Sequence, residues 1–524
     1  MLKSCRSHEK YQGFLKQHIP ALYHADPNRL VSFSKHLSAL WLLDLDPAIP
    51  YFIEHYSACG RPAVFDPIDL FRSLVLMTKT RNHFGITEWS QALRNDRVLA
   101  TLSGFFPDKT PSVGAFYTFL DRFWLTFNPD SKKRRLRLLT ARRKPRQNKG
   151  SKLKKGEKLP PKRPSVVARL IKQALKGRRL LGRPERLIQA IFARCVVDTS
   201  ISLGLIPTKP SSDTDILSLV AGIAGDGTAV KTAASSHGIK VCDCRKNGIF
   251  KCDCPRRFSD YEANWGWDSH NEVFFYGRTF YPLTATHSQY DLPTFLSVGQ
   301  ASRHDSIQAV VALTLFRDLH PRLKIERTLW DSAQDVYDFY ELHRQWGIEP
   351  FIDLNHRAKG KVSLPQPLSI NEHGIPCCPA GQCMIFDSYD KNHSRLKWRC
   401  PKKLGNKKTR SAAILACSSD CSPSSYGRTV YTKPQDDLRL FTRTPRNSSA
   451  WKEVYKGRSA SERVNKRLMV DYQLERCRVR SNKHWVWRGH FAAISIHLDA
   501  WVDFFQKHDF DIWKEILPPV ELAS

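Results

Sequence analysis

The chain contains no apolar run approaching the ~18 residues that a membrane span needs. Its first ten residues, Met1-Leu-Lys-Ser-Cys-Arg-Ser-His-Glu-Lys, lack the apolar core of a signal peptide. These two absences argue against a membrane or secreted protein and for a soluble, cytoplasmic one. Fourteen cysteines in 524 residues are too sparse for a disulfide scaffold, and most of them fall in tight spacings that suit a metal in a reducing compartment. Acid is scarce too: 50 Asp and Glu stand against 83 Lys and Arg, a formal charge of +33 that complements a polyanion. An apolar content of 41% excludes a disordered chain and is enough for more than one core.

The positive charge is concentrated. Between Lys132 and Arg179 there are 21 Lys or Arg and a single acid, Glu157. Residues 140–163, rich in Gly, Pro and Lys, read as a solvated linker, and the block as a whole as an electrostatic arm for DNA or RNA phosphates. A spacer without a partner is the alternative.

Before this block, residues 60–127 read as a helical unit. Pro67 and Asp69 open the stretch Leu70-Phe71-Leu74-Val75-Leu76-Met77, Thr87-Glu88-Trp89-Leu93 follows Gly85, and Pro111-Ser112 begin a third periodic run. Interspersed Lys79, Arg81, Arg94, Arg97 and Arg122 suit a helix-turn-helix-like DNA binder; a helical cap with a solvated face is equally compatible. Beyond the block the pattern alternates. Residues 192–198, 217–224, 274–281 and 295–298 are strand-like, 306–316 helical, 325–330 a strand, 335–346 a helix and 349–353 a strand. That order predicts an α/β fold with an RNase H-like core, carrying a helical N-terminal domain and a cysteine-rich insertion. The expected boundaries are 1–130 for the helical domain, 131–185 for the basic linker, 186–353 for the first part of the core, 354–450 for the insertion and 451–524 for the C-terminal helices.

Three acidic motifs stand out: Ala-Gly-Asp226-Gly-Thr, Leu-Trp-Asp331-Ser-Ala and Ser-Ala-Ser-Glu462-Arg. The first two carboxylates end strand-like runs and the third lies on a helical pattern. Converging carboxylates can hold two divalent metals, Mg²⁺ or Mn²⁺, which cleave and rejoin phosphodiesters. Gly225 and Gly227 would let a phosphate approach the backbone closely. Asp198 and Asp353 compete for the first and last places. Tyr455, Arg458 and Glu462 are spaced to share one helix face, where Arg458 could hold a phosphate and Tyr455 donate to another of its oxygens; a Glu–Arg surface pair is the plain alternative.

These residues resemble the DDE transposases of bacterial insertion sequences. Phe65-Asp-Pro-Ile-Asp-Leu-Phe and Pro111-Ser-Val-Gly-Ala-Phe-Tyr look like their N-terminal DNA-binding helices, and Asp226-Gly-Thr like their first catalytic aspartate. Asp331-Ser-Ala-Gln-Asp335 looks like the second, and Tyr455, Arg458 and Glu462 reproduce the Tyr-x2-Arg-x3-Glu signature. The family's Lys seven residues after the Glu is Met469 here, with Lys466 and Arg467 nearby. The resemblance implies catalysis by Asp226, Asp331 and Glu462 with Mg²⁺ or Mn²⁺, cleavage of element ends and joining of 3′-hydroxyls to target DNA. It also implies terminal inverted repeats and target duplex DNA as partners, and a homodimer on DNA. An inactive DNA-binding relative and a nuclease without strand transfer are the alternatives.

Cys242-Asp-Cys244 and Cys252-Asp-Cys254 flank Asn247-Gly248 and read as a hairpin presenting four thiols to structural Zn²⁺; free thiols are the alternative. Between residues 377 and 421 lies a second group. Cys378, Cys400, Cys417 and Cys421 are its preferred Zn²⁺ ligands, with Cys383 in reserve. Trp398, set among Arg395, Lys397, Arg399, Lys402 and Lys403, reads as a base stacker or as a small core residue. Trp265, Trp267, Trp485 and Trp487 read as packing residues, and His237, His270, His304 and His356 as structural histidines.

Overall fold

The computed structural model describes residues 2, 4–57, 59–124, 136–137, 164–178, 184–210, 218–269, 271–355, 368–404, 414, 417, 421–446 and 448–517. Residues 140–163, His270 and His356 therefore lie outside the described residues.

The N-terminal region is helical: α1 (His8–Ala25), α2 (Ser34–Leu42), α3 (Pro67–Lys79), α4 (Ile86–Asn95) and α5 (Val113–Arg122). Helix α3 starts where the sequence says it should, because Pro67 occupies its first turn and the Asp66 carboxylate accepts from the Ile68 N–H. Every one of its residues is buried. It cannot read a groove as it stands. Even Lys79, counted as a DNA-facing cation, is buried and paired at 2.5 Å with Asp499. The last part of the basic block is ordered as α6 (Val166–Leu175), begun by the Ser165 hydroxyl accepting from Ala168 N–H.

A seven-stranded sheet follows. Its strands are β1 (Ile223–Gly225), β2 (Thr228–Lys231), β3 (Asn264–Asp268), β4 (Val273–Ala285), β5 (Pro293–Gln300), β6 (Arg327–Trp330) and β7 (Glu349–Ile352). The spine runs β5-β4-β1-β6-β7, antiparallel from β5 to β1 and parallel from β1 to β7. Strands β2 and β3 both add to β4. Helices α7 (Asp305–Leu319) and α8 (Tyr337–Trp346) make the crossovers between β5 and β6 and between β6 and β7, and α6 packs on both. A parallel pair needs such a crossover, since a tight hairpin cannot reverse the chain twice.

Two expected strands differ. Residues 192–198 are helical, continuing the Arg186–Phe192 helix, so Asp198 sits on a helix bonded to Arg194 at 3.0 Å. A short apolar run buried on all sides carries no period that separates strand from helix. The 217–224 run is broken: Ser218–Val220 joins a small separate sheet, and β1 begins only at Ile223. Between them, a Cβ on Gly222 would lie 2.3 Å from Thr286 Oγ1.

The insertion forms its own unit from β8 (Ile385–Asp390), β9 (Arg395–Arg399) and β10 (Thr429–Thr432), closed over Leu354, Met384, Leu396, Trp398, Val430 and Phe441. Trp398 is thus a core residue, its Nε1 donating to Thr432 Oγ1 at 2.9 Å. After it come α9 (Ser449–Tyr455), α10 (Ser459–Lys466) and the long α11 (Ser481–Gln506). Helix α11 packs against α2, α3 and β5, so one hydrophobic core runs from Tyr11 to Ile516 and joins the N-terminal helices to the sheet. Trp485 and Trp487 lie in this core, as expected, whereas Trp265 and Trp267 are each 53% exposed.

Candidate active site

Strands β1 and β6 are parallel neighbours with Ala224 opposite Leu329. Two residues further along each lie Asp226 and Asp331, so the register alone sets these carboxylates side by side. Glycine is required at the junction. A Cβ on Gly225 would lie 2.2 Å from the Trp330 ring, and one on Gly227 would lie 2.7 Å from Asp305 Oδ1. These glycines make room for Trp330 and for a third aspartate, rather than for a phosphate as the sequence suggested.

The Asp226 carboxylate accepts from the Gly227 N–H at 3.0 Å and from Asn465 Nδ2 at 3.4 Å. Burial, then the charges of Asp331 and Asp305, push it up to about 7, against the pull of Arg458 and the Gly227 N–H. Asp305, at the start of α7, is pushed up to about 6 by burial and by Asp331, with His304 pulling it down. Asp331 accepts from the Ala333 N–H at 2.9 Å and caps the short turn after β6. Buried Gln334 bridges from it to the Tyr281 hydroxyl, 3.0 Å away; with its oxygen toward Tyr281, its nitrogen donates to the Asp331 carboxylate. Tyr281 is raised well above its ordinary value by burial and by Asp305, Asp226 and Asp331.

The third expected carboxylate is placed differently. Glu462 lies on α10 with its side chain 53% exposed, ion-paired to Arg458. Arg458 stands between the two groups: burial acts to lower its pKa but is outweighed by Tyr455, Glu462, Asp226 and Asp331. Among the described residues, Asp226, Asp331 and Glu462 do not close into a group with ligand atoms within 4.8 Å of one another. Tyr455 does not face a free phosphate position; its hydroxyl donates to the Trp330 carbonyl at 3.0 Å and its ring stacks on Trp451. It fixes the strand end that carries Asp331. Met469, where the family has Lys, packs on the main core.

Of the competing aspartates Asp198 is engaged elsewhere, whereas Asp353 stays beside the site, its carboxylate accepting from the Leu354 N–H at 3.0 Å and acting on Tyr455. Asp198 is held by Arg194 and lies 3.6 Å from His320. Asp353 follows β7, where its backbone N–H donates to the Trp330 carbonyl at 3.3 Å. Asp335 is bound by Arg439 at 2.7 Å and by the Asn355 N–H, tying the insertion to the core. Asp305 is the acid that the sequence reading missed. Its one signal was position: the first residue of a helix directly after a core strand.

Cys242, Cys244, Cys252 and Cys254 bring their sulfurs within 4.8 Å of one another, a group that could hold a metal ion. The stem is the antiparallel pairing of Ile239–Lys240 with Arg256–Arg257, and Gly248 turns the loop at φ +74°. Of the second set, Cys378, Cys400, Cys417 and Cys421 line one cavity of about 160 Å³, but they do not form such a ligand group among the described residues. Cys383, the reserve, instead lies 3.7 Å from Cys377, sulfur to sulfur.

A transposase DDE domain model matches residues 222–496, more than half of the chain, from β1 into α11. The chain belongs to the DDE transposase family. No curated protein matches it. The match opens at the strand that carries Asp226 and takes in Asp331 and Glu462. No described helix of this transposase is long and apolar enough to cross a membrane.

Proposed function

We propose that this transposase cleaves the ends of its own mobile element and joins the freed 3′-hydroxyls to target DNA, using Mg²⁺ or Mn²⁺ held by Asp226, Asp331 and Glu462 on an RNase H-like core. The observation that carries this reading is the β1–β6 register, which sets two half-buried aspartates together with no Lys or Arg among the described residues bonded to either. The sheet order β5-β4-β1-β6-β7 supports the core assignment. The donor set fits the ion, since hard carboxylate oxygens suit Mg²⁺ and leave it water. Bound there, a divalent cation would lower the pKa of the attacking water or 3′-hydroxyl and stabilise the leaving oxygen. Asn465 and the Gly227 N–H orient Asp226, Gln334 orients Asp331, and Tyr455 holds the end of β6 just before Asp331. Arg458 presents its guanidinium to a phosphate beside the same carboxylates.

The DNA partner is supported by charge. A groove between the N-terminal helices and α11 is rimmed by Arg257, Arg476, Arg478 and Arg480, and the basic block 132–179 adds a sequence-independent arm. Zn²⁺ on Cys242, Cys244, Cys252 and Cys254 would be structural, because four thiolates leave no open position for water. Zinc on the second set, a homodimer on DNA and a cytoplasmic site of action complete the reading. A strand-transfer assay on matched terminal inverted repeats tests it. Joined product is expected; cleavage alone would make the protein a nuclease, and binding alone an inactive relative.

A further inference from the structure

We infer that Asp305 is a further ligand of this site, adding a fourth carboxylate to Asp226, Asp331 and Glu462 around the divalent cation. The inference rests on the metal-dependent reading above and deepens it.

The first observation is the close approach of Asp305 to the Asp226 turn. A Cβ on Gly227 would lie 2.7 Å from Asp305 Oδ1 and 3.2 Å from its Cγ, so any other residue after Asp226 would displace that carboxylate. Strand β5 ends at Gln300 and α7 begins at Asp305, so the chain delivers this acid to the carboxyl ends of β1 and β6. No Lys or Arg among the described residues pairs with it; its side-chain contact is the Gln308 amide at 3.5 Å.

A second, independent observation comes from the other side of Asp226. Asn465 is only 9% exposed, its Nδ2 points at Asp226 Oδ2, and its Oδ1 has no hydrogen-bond partner. A buried amide oxygen without a donor is costly unless a ligand or its water takes it. Asn465 thus holds Asp226 through its amide N–H while its own buried oxygen is left without a donor, an acceptor open to a cation's water shell. Glu462, by contrast, faces outward against Arg458. Asp305 therefore adds an inner carboxylate to the site, although among the described residues Asp226, Asp331 and Asp305, like Asp226, Asp331 and Glu462, do not all bring ligand atoms within 4.8 Å of one another without the ion.

The test is Mn²⁺ binding to the full chain without DNA, read from the electron paramagnetic resonance of free Mn²⁺. Asp305→Asn should weaken Mn²⁺ affinity by about 10-fold or more, the scale on which ligand-shell changes act. Asp305→Glu keeps the charge but cannot keep the geometry against Gly227, and should remain weakened. Asp226→Asn is the reference and should lose the ion. Wild-type affinity in Asp305→Asn, or full recovery in Asp305→Glu, would overturn the inference; the second result would mean that only charge matters. If Asp226→Asn also kept wild-type affinity, the metal reading of the whole site would fall with it. Circular-dichroism melts establish folding of each variant, and if Asp305→Asn does not fold, Asp305→Glu decides by the same criterion.

Discussion

Two aspartates packed against β4 show opposite ways of keeping a carboxylate inside a protein. Asp260 is 1% exposed and gripped at both oxygens by Arg278, at 2.6 and 2.7 Å, with the Thr232 hydroxyl at 3.1 Å. Burial alone would raise its pKa, but the Arg278 bonds outweigh it and hold the group below its ordinary value. Among the described residues Asp226 has only a glycine N–H and a long amide contact as hydrogen-bond partners, and burial and two nearby acids raise it to about 7 against the pull of Arg458. The first carboxylate is satisfied by the fold and serves it. The second is left with like charges around it, an arrangement that costs stability and is found where a site awaits a cation.

The largest expected effect tests that assignment. Asp226→Asn should abolish cleavage, by roughly 1,000-fold or more, because it removes a carboxylate that would hold the catalytic divalent ion. Binding to terminal-repeat DNA, measured by mobility shift without metal, should be unchanged. Lost binding would move Asp226 to the structural side of the comparison.

Arg278→Ala is the counterpart. It leaves Asp260 buried and unpaired, which should lower stability by about 3–5 kcal/mol, as breaking a buried pair does. Urea unfolding measures it. A loss below about 1 kcal/mol would mean that water or Asn482, whose Oδ1 accepts from Arg278 Nε at 2.5 Å, replaces the guanidinium.

Cys252→Ser probes a third case, charge neutralised by a bound ion. Zinc content by metal analysis and the melting temperature should fall together, because the free energy of binding structural zinc is also folding free energy. Full zinc and an unchanged melt would make these four thiols ordinary loop cysteines.

How much of this was legible in the sequence follows from the physics of each part. Asp226 and Asp331 could be singled out because each ends a short apolar strand, and the β1–β6 register then fixes their approach. Tyr455, Arg458 and Glu462 were visible by spacing, which also offered the Glu462–Arg458 pair as its plain alternative, but spacing does not say that Tyr455 would bond a backbone carbonyl. Asp305 has only its position as a local signal, and an acid opening a helix is ordinary; what marks it is its close approach to Gly227, 78 positions earlier in the chain. The helical outcome at 192–198 and the shared core of the N-terminal helices with α11 were hidden for a related reason. Both depend on which surfaces pack together, and an apolar run reports burial without naming its partner.

The smallest expected effect is in the pH dependence of stability, where the two aspartates should act with opposite sign. Asp260 is depressed in the fold, so it contributes stability that is present above the unfolded pKa of 3.8 and lost as pH falls through the folded value. Asp226 and Asp305 are raised to about 7 and about 6, so between pH 3.8 and those values the unfolded chain is ionised while the folded one still holds the proton. The unfolded state then binds fewer protons, and stability falls as pH rises through that window. Without divalent metal, Asp226→Asn should therefore raise stability near pH 8 by roughly 1–3 kcal/mol, a figure discounted for the partial exposure of the site. The same substitution should change little near pH 4. Buried Asp69, also raised to about 7, leaves a residual slope in the variant, so the comparison is of slopes and not of a single pH. Urea titrations at pH 4, 6 and 8 in EDTA measure it. Equal slopes in the wild type and Asp226→Asn would mean that Asp226 is ionised and satisfied in the metal-free fold, and the contrast with Asp260 would fail.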